Sequence, residues 1–201
     1  IEGPLRLTNL GETVREAMRK GISGTVAFSD FADYPPSLGV PAGWAVTLIT
    51  NGGKPVGALA IEMPIKRIEE VMTGNSNWAE SGLGETGETY LVGSDRLMRS
   101  PARGLLEDPQ QFASDAARFG VPAEDVERMV KTGSTLLLQR VETEAVEQAL
   151  AGHRGTVVGP GFLGRNTIAA YAPVTIEGLR WVIVAEVGQA ELDHGAVLRG
   201  H

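Results

Sequence analysis

The sequence predicts an α+β protein built from two related modules in tandem, each an antiparallel sheet flanked by helices, with the first module truncated at its N-terminus. Three observations carry this prediction. Glu12 to Val26, "ETVREAMRKGISGTV", lies without gaps over Thr143 to Val157, "TEAVEQALAGHRGTV", so that Gly21, Gly24, Thr25 and Val26 fall on Gly152, Gly155, Thr156 and Val157. At a shorter offset, "AVTLITNGGKPVGALAIEMPIKRIEEVM" follows the course of "AAYAPVTIEGLRWVIVAEVGQAELDHGA": strand, tight turn, strand ending in Glu62 or Glu186, helix. The hairpin pattern "ETYLVGSDRLMRS" precedes only the second copy, because just "IEGPLRLTNL" stands before the first.

Each copy therefore reads helix, strand, strand, strand, helix, and the hairpin makes the second sheet five-stranded. The expected boundaries are 1–74 and 75–201. In the first module "NGG" supplies the positive φ of a tight turn at Asn51 to Lys54, which pairs Thr47 with Ala58. Ala45, Ala60 and Glu62 then share one face, while Trp44, Val46, Leu48, Leu59 and Ile61 form the core face. In the second module the first hairpin pairs Tyr90 with Arg99 and Val92 with Leu97. A turn centred on Ile176 and Glu177 sets Tyr171 opposite Val182 and Thr167 opposite Glu186. The face with Ile168, Ala170, Trp181 and Ile183 is wholly apolar and is expected to pack a helix, with Trp181 in the core. The mixed face, with Thr167, Tyr171, Arg180 and Glu186, is where a small polar ligand can be held. Between the hairpins, 109–150 reads as a helical insert with a helix start at Pro122 and Leu136, Leu137, Leu138 and Val141 as core.

Composition narrows the functions. The chain has 201 residues, 42% of them hydrophobic, with a formal net charge of -7 and a pI near 5.0. That balance argues against nucleic acid or an anionic membrane surface as partner. Absence of cysteine excludes disulfides and thiolate metal sites. No apolar run reaches the roughly 18 residues of a membrane span, and with Ile1 rather than Met at its start the chain is expected to be an excised piece. Gly82, Gly84 and Gly87 spell G-x-G-x-x-G, but a phosphate loop must follow a strand and open a helix. Here a helix lies upstream and a strand downstream, and Glu85 and Glu88 add negative charge. No nucleotide or other cofactor is expected, and the glycines read as a structural approach to the strand.

These motifs together carry a resemblance. "GLGETGETYLVGSDRLMRS", with "GTVAFSDFADYPPS" before it and "NTIAAYAPVTIEGLRWVIVAEV" after it, resembles the extracytoplasmic double-Cache (PAS-like) sensor regions of bacterial transmembrane receptors. Membrane-bound class III adenylate or guanylate cyclases and methyl-accepting chemotaxis proteins are the nearest in pattern, over Leu10 to Leu198. The resemblance implies a partial membrane-distal module in 1–74 and a membrane-proximal one in 75–201 ending in an exit helix, "QAELDHGAVLRGH". It further implies a membrane-anchored parent chain, a homodimer in the full receptor, and a location outside the cytoplasm. The chain departs from the family at Arg99, Ser100, Pro101 and Ala102, where members often read R-S-D-S. It also lacks the Arg and Trp-Tyr signature of amino-acid sensors, so an amino acid ligand is not supported.

Three functions stay open. A sensor would bind an unknown small molecule and shift its terminal helix, with Tyr90, Arg99, Tyr171 and Glu186 as proximal candidates and Asp30, Tyr34 and Thr47 as distal ones. Arg99 would offer a bidentate fork to a carboxylate or phosphate, although Tyr90 and Arg99 can equally pack as a cross-strand pair. A hydrolase would need a nucleophile beside a base, yet the histidines are only His153, His194 and His201, no G-x-S-x-G is present, and the carboxylates at Asp30, Asp33, Glu107 and Asp108 suit caps or solvent. His194 and His201 read as solvated rather than metal-ligating. A structural or dimerisation module would bind nothing.

Overall fold

The computed structural model describes residues 3–21, 24–78 and 80–192. It holds two compact units, one of Ile1–Ile65 with Thr175–Leu179 and the other of Lys66–Val174 with Arg180–His201.

In the first unit a helix, α1 (Asn9–Lys20), precedes three strands, β1 (Ala27–Asp33), β2 (Pro41–Asn51) and β3 (Lys54–Glu62), in the order β1-β2-β3. The Thr8 hydroxyl caps α1 by accepting from the Gly11 N–H, and Gly21 ends it at φ 64°. Asn9 Nδ2 ties the helix start to the sheet, donating to Ala42 O at 2.6 Å and Asp30 O at 3.1 Å. Val14 and Ala17 pack on Val46 and Leu48. The turn falls where "NGG" predicts it, with Gly52 and Gly53 at φ 57° and 78° and Asn51 opposite Lys54. The register beyond it differs from the prediction. Thr50 pairs Pro55 but Ile49 pairs Gly57, so Val56 is an extra residue that shifts β3 by one. Thr47 therefore opposes Leu59, not Ala58. Because side chains alternate, the shift turns Leu59 and Ile61 out of the expected core, where they are 51% and 60% exposed, and brings Ala58 and Ala60 in.

The second unit carries most of α2 (Ile65–Thr73), then β4 (Glu88–Gly93), four helices and three strands. The helices are α3 (Arg103–Glu107), α4 (Pro109–Arg118), α5 (Ala123–Thr132) and α6 (Glu144–Leu150). The strands are β5 (Gly155–Pro160), β6 (Asn166–Ile176) and β7 (Leu179–Gly188), and the sheet order is β4-β7-β6-β5. The sheet has four strands rather than five. "LMRS" makes only isolated bridges, Met98 to Val92 and Leu97 to Arg140. Gly93 N–H bonds Leu97 O across a three-residue loop whose last member, Arg96, sits at φ 66°. That added residue puts Met98, not Leu97, opposite Val92. The other turn is Glu177–Gly178, one residue later than predicted, with Gly178 at φ 84°. Such a change moves the pairing by two and leaves the faces unaltered.

The core lies on the mixed face, contrary to expectation. Tyr90, Val92, Ala169, Val182 and Val184 of the sheet pack with Leu105, Phe112, Met129, Val141 and Val146, because the helices of the insert cover that side. On the other face Leu91 and Trp181 are buried, and the Thr89 hydroxyl donates to Met72 O at the end of α2. The repeat is visible as α1-β1-β2-β3 and α6-β5-β6-β7, with Thr143 capping α6 as Thr8 caps α1. Among the described residues, only the second copy carries an added strand, β4, on its last strand.

Candidate functional site

β4 and β7 set Glu88 directly opposite Glu186 and Tyr90 opposite Val184. Tyr90 is thus diagonal to Glu186 on one face, and its hydroxyl donates to Glu186 Oε2 at 2.9 Å. Glu88 Oε2 accepts the Arg103 N–H at 3.0 Å. Burial pushes the Glu88 carboxyl up to about 7, and the neighbouring Glu186 charge adds to the rise. Burial raises Glu186 as well, against the opposing pull of the Tyr90 bond. Tyr90 is driven well above its ordinary value by burial and then by Glu186, so its hydroxyl stays a donor.

Two cavities open on this group. The smaller, about 250 Å³, is lined among others by Glu88, Arg103, Asp115, Phe162, Arg165 and Glu186. The larger, about 870 Å³, runs past Phe119, Gln139, Thr143 and Ala169. Gly161, Phe162, Thr167 and Glu186 border both. The β5–β6 loop closes over them because Gly161 has no side chain: a Cβ there would stand 2.7 Å from Glu186 Oε1. Phe162 meets the Tyr90 ring edge to face at 5.4 Å. Arg165 Nη2 donates to Asp115 Oδ2 at 2.8 Å, joining the loop to α4. Burial lifts the Asp115 carboxyl, but bonds from Gln111 and Arg165 outweigh it and hold it low.

Arg103 organises the opposite wall. Its Nη1 donates to Gly84 O at 3.0 Å and Gly87 O at 2.7 Å, and its guanidinium lies 4.9 Å from the Trp78 ring. Its Nε is 2.9 Å from Glu107 Oε1, an ion pair whose N–H is not aligned as a hydrogen bond. The glycine loop does cradle an anion, and that anion is the chain's own. Glu191 accepts from the Glu85 N–H at 3.0 Å, the Thr86 N–H at 2.9 Å and the Thr86 hydroxyl. A Cβ on Gly84 would lie 2.1 Å from Glu191 Oε1, so the nest needs glycine there. The Thr86 hydroxyl and these N–H groups hold the Glu191 carboxyl low.

Of the residues singled out from the sequence, the structure brings together Tyr90 and Glu186. Arg99 is not their neighbour. Its guanidinium covers Gly93, where a Cβ would stand 2.3 Å from Nη2, and it bonds Asp95 Oδ2 at 2.9 Å and Leu97 O at 2.8 Å, lining neither cavity. Tyr171 pairs with Gly155 across β5 and β6 and packs over it, also outside both cavities. In the first unit Asp30 accepts the Phe31 N–H, Tyr34 packs edge-on to Trp44 at 5.2 Å, and Thr47 lies on the opposite face from Trp44, so the three do not converge. His153 is exposed beside Gln148, while His194 and His201 lie outside the described residues. Sequence reasoning missed Glu88, Arg103, Phe162 and Arg165. Glu88 was within reach, since it lies two residues from Tyr90 on a strand and so shares its face. Among the described residues no cluster of His, Asp or Glu could hold a metal, and no helix is long and apolar enough to cross a membrane.

No family profile and no curated protein matches the sequence. Among solved structures, the ligand-binding domain of the Pseudomonas aeruginosa PAO1 amino acid chemoreceptor PctB with L-Arg is similar at 12% identity and a TM-score of 0.51, over 95% of this chain and 63% of that one. The extracellular domain of the histidine kinase mmHK1S-Z3 is similar at 15% identity and 0.50, over 92% and 55%. The ligand-binding domain of the Pseudomonas fluorescens chemoreceptor CtaA with L-isoleucine is similar at 13% and 0.50, over 94% and 60%. These likenesses show the fold, that of receptor ligand-binding and extracellular domains. The chain spans less than two thirds of each of these structures.

Proposed function

We propose that this chain is an extracytoplasmic ligand-sensing region of a transmembrane signalling receptor, with its site in the second module. The supporting observation is the Tyr90–Glu186–Glu88 group, with Tyr90 and Glu186 buried and Glu88 half-buried, beneath a cleft whose wall, the 84–87 loop, also grips Glu191 just beyond the sheet. Ligand that packs against this wall can favour one position of the segment after Gly188, and only such a difference in affinity moves a two-state equilibrium. Binding would then be transmitted through the exit helix to a cytoplasmic output such as a nucleotide cyclase, in a membrane-anchored homodimer. The neighbours' L-Arg and L-isoleucine make amino acids natural probes, although the signature of amino-acid sensors is absent from the first module. The module carries no catalysis of its own in this reading. A thermal-shift screen with amino acids, carboxylates, amines, nucleotides and divalent metals tests it. A ligand at 100 times its Kd adds about 2.7 kcal/mol, enough for a shift of several degrees. Stabilisation by one class that is lost in Glu186→Gln is expected, whereas silence from every class would favour a structural or dimerisation module.

A further inference from the structure

Two carboxylates facing each other across a sheet repel, and a protein normally separates them or sets a cation between them. Glu88 and Glu186 are directly opposite, and among the described residues neither has a cationic side chain within 4.0 Å. The nearby guanidinium groups are engaged elsewhere: Arg103 with Gly84 O, Gly87 O and Glu107, Arg165 with Asp115. Glu186 supplies a second observation. It is only 8% exposed, borders both cavities and bonds Tyr90 through Oε2, while Oε1, beside Gly161, has no hydrogen-bond partner among the described residues. Oε1 is reached by solvent from the cavities that Glu186 borders, so a ligand can donate to it there. The remaining wall of the smaller cavity includes Phe112, Phe162 and Leu163, which suit hydrocarbon rather than a hydrated metal ion.

We infer that the smaller cavity is an amine site, in which the ammonium group of a small organic cation lies between Glu88 and Glu186 with its carbon chain against Phe112 and Phe162. This rests on the reading of the second module's cleft as the ligand site. The charged and titratable groups around Glu88 and its cavity are Glu186 of β7, Tyr90 of β4, Glu85 of the 84–87 loop, Arg103 and Glu107 of α3, Asp108 at the start of α4, Asp115 of α4 and Arg165 of the β5–β6 loop. Since Glu88 titrates at about 7 in the free protein, an ammonium that needs it ionised should bind about tenfold tighter at pH 8 than at pH 6.

The test is calorimetric titration of the whole chain with putrescine, 1,4-butanediol, succinate and calcium chloride at pH 6 and pH 8, repeated on Glu186→Gln and Glu88→Gln. Putrescine binding that tightens with pH, releases a proton at pH 6 and weakens at least tenfold in either variant is the expected result. Gln is isosteric, and circular dichroism checks that each variant is folded. Binding of succinate, butanediol or calcium in place of putrescine, lost in Glu186→Gln, would overturn the amine assignment while leaving the cleft as ligand site. Putrescine binding unchanged in both variants would overturn the location. No heat from any of the four would overturn the amine site, and the thermal-shift screen then decides the cleft separately.

Discussion

At the scale of single residues, the Glu88–Glu186 pair is the most consequential feature. Glu88 has its carboxyl raised from 4.5 to about 7, so the folded protein holds a proton there that the unfolded chain releases. Stability is therefore greatest below about pH 4.5 with respect to this group, falls as pH rises towards 7, and is flat above. The shift corresponds to about 3 kcal/mol. Glu88→Gln should remove that slope and stabilise the protein at pH 8, as read by urea unfolding at pH 5, 6, 7 and 8. Tyr90→Phe should have the opposite sign. It strips Glu186 of its donor inside the core and should cost about 1–3 kcal/mol, measured by the same unfolding. Glu186 was legible because strand alternation puts it on the polar-bearing face, whereas Tyr90 was singled out only as a partner for Arg99. The supposed Tyr90–Arg99 pairing does not form, because Arg96 adopts φ 66° without being glycine, and nothing in "SDR" announces the extra loop residue.

At the scale of elements, single-residue irregularities decide which faces are buried. The "NGG" turn was readable, yet the bulge at Val56 was not, and it alone exchanges Leu59 and Ile61 for Ala58 and Ala60 in the first core. The faces of β6 and β7 were sorted correctly into mixed and apolar, but the mixed face became the core because the 103–150 helices pack on it. A periodicity argument within two strands cannot see that cover. The glycine loop read as a structural approach to the strand, and its backbone N–H groups bind a carboxylate 105 residues away, a contact no local pattern encodes. Gly84→Ala should expel Glu191, since Gly84 also sits at φ 63°. Faster hydrogen exchange at the Glu85 and Thr86 amides would report it, with β6 unaffected. Glu191→Gln should loosen the same amides without touching the core.

At the scale of the whole molecule, the tandem repeat predicted the α+β architecture, and the two copies show what a single added strand does. Glu62 and Glu186 occupy equivalent ends of equivalent strands, yet Glu62 is exposed while β4 brings Glu88 and Tyr90 to Glu186. The proposed sensing site is placed in the second module because of that difference. The most direct measurement is hydrogen exchange of the intact chain with and without the compound that stabilises it most in the thermal-shift screen. Slower exchange in 84–88, in 159–167 and at the segment following Gly188 is the predicted outcome. Protection confined to 27–62 would contradict it and move the site to the first module.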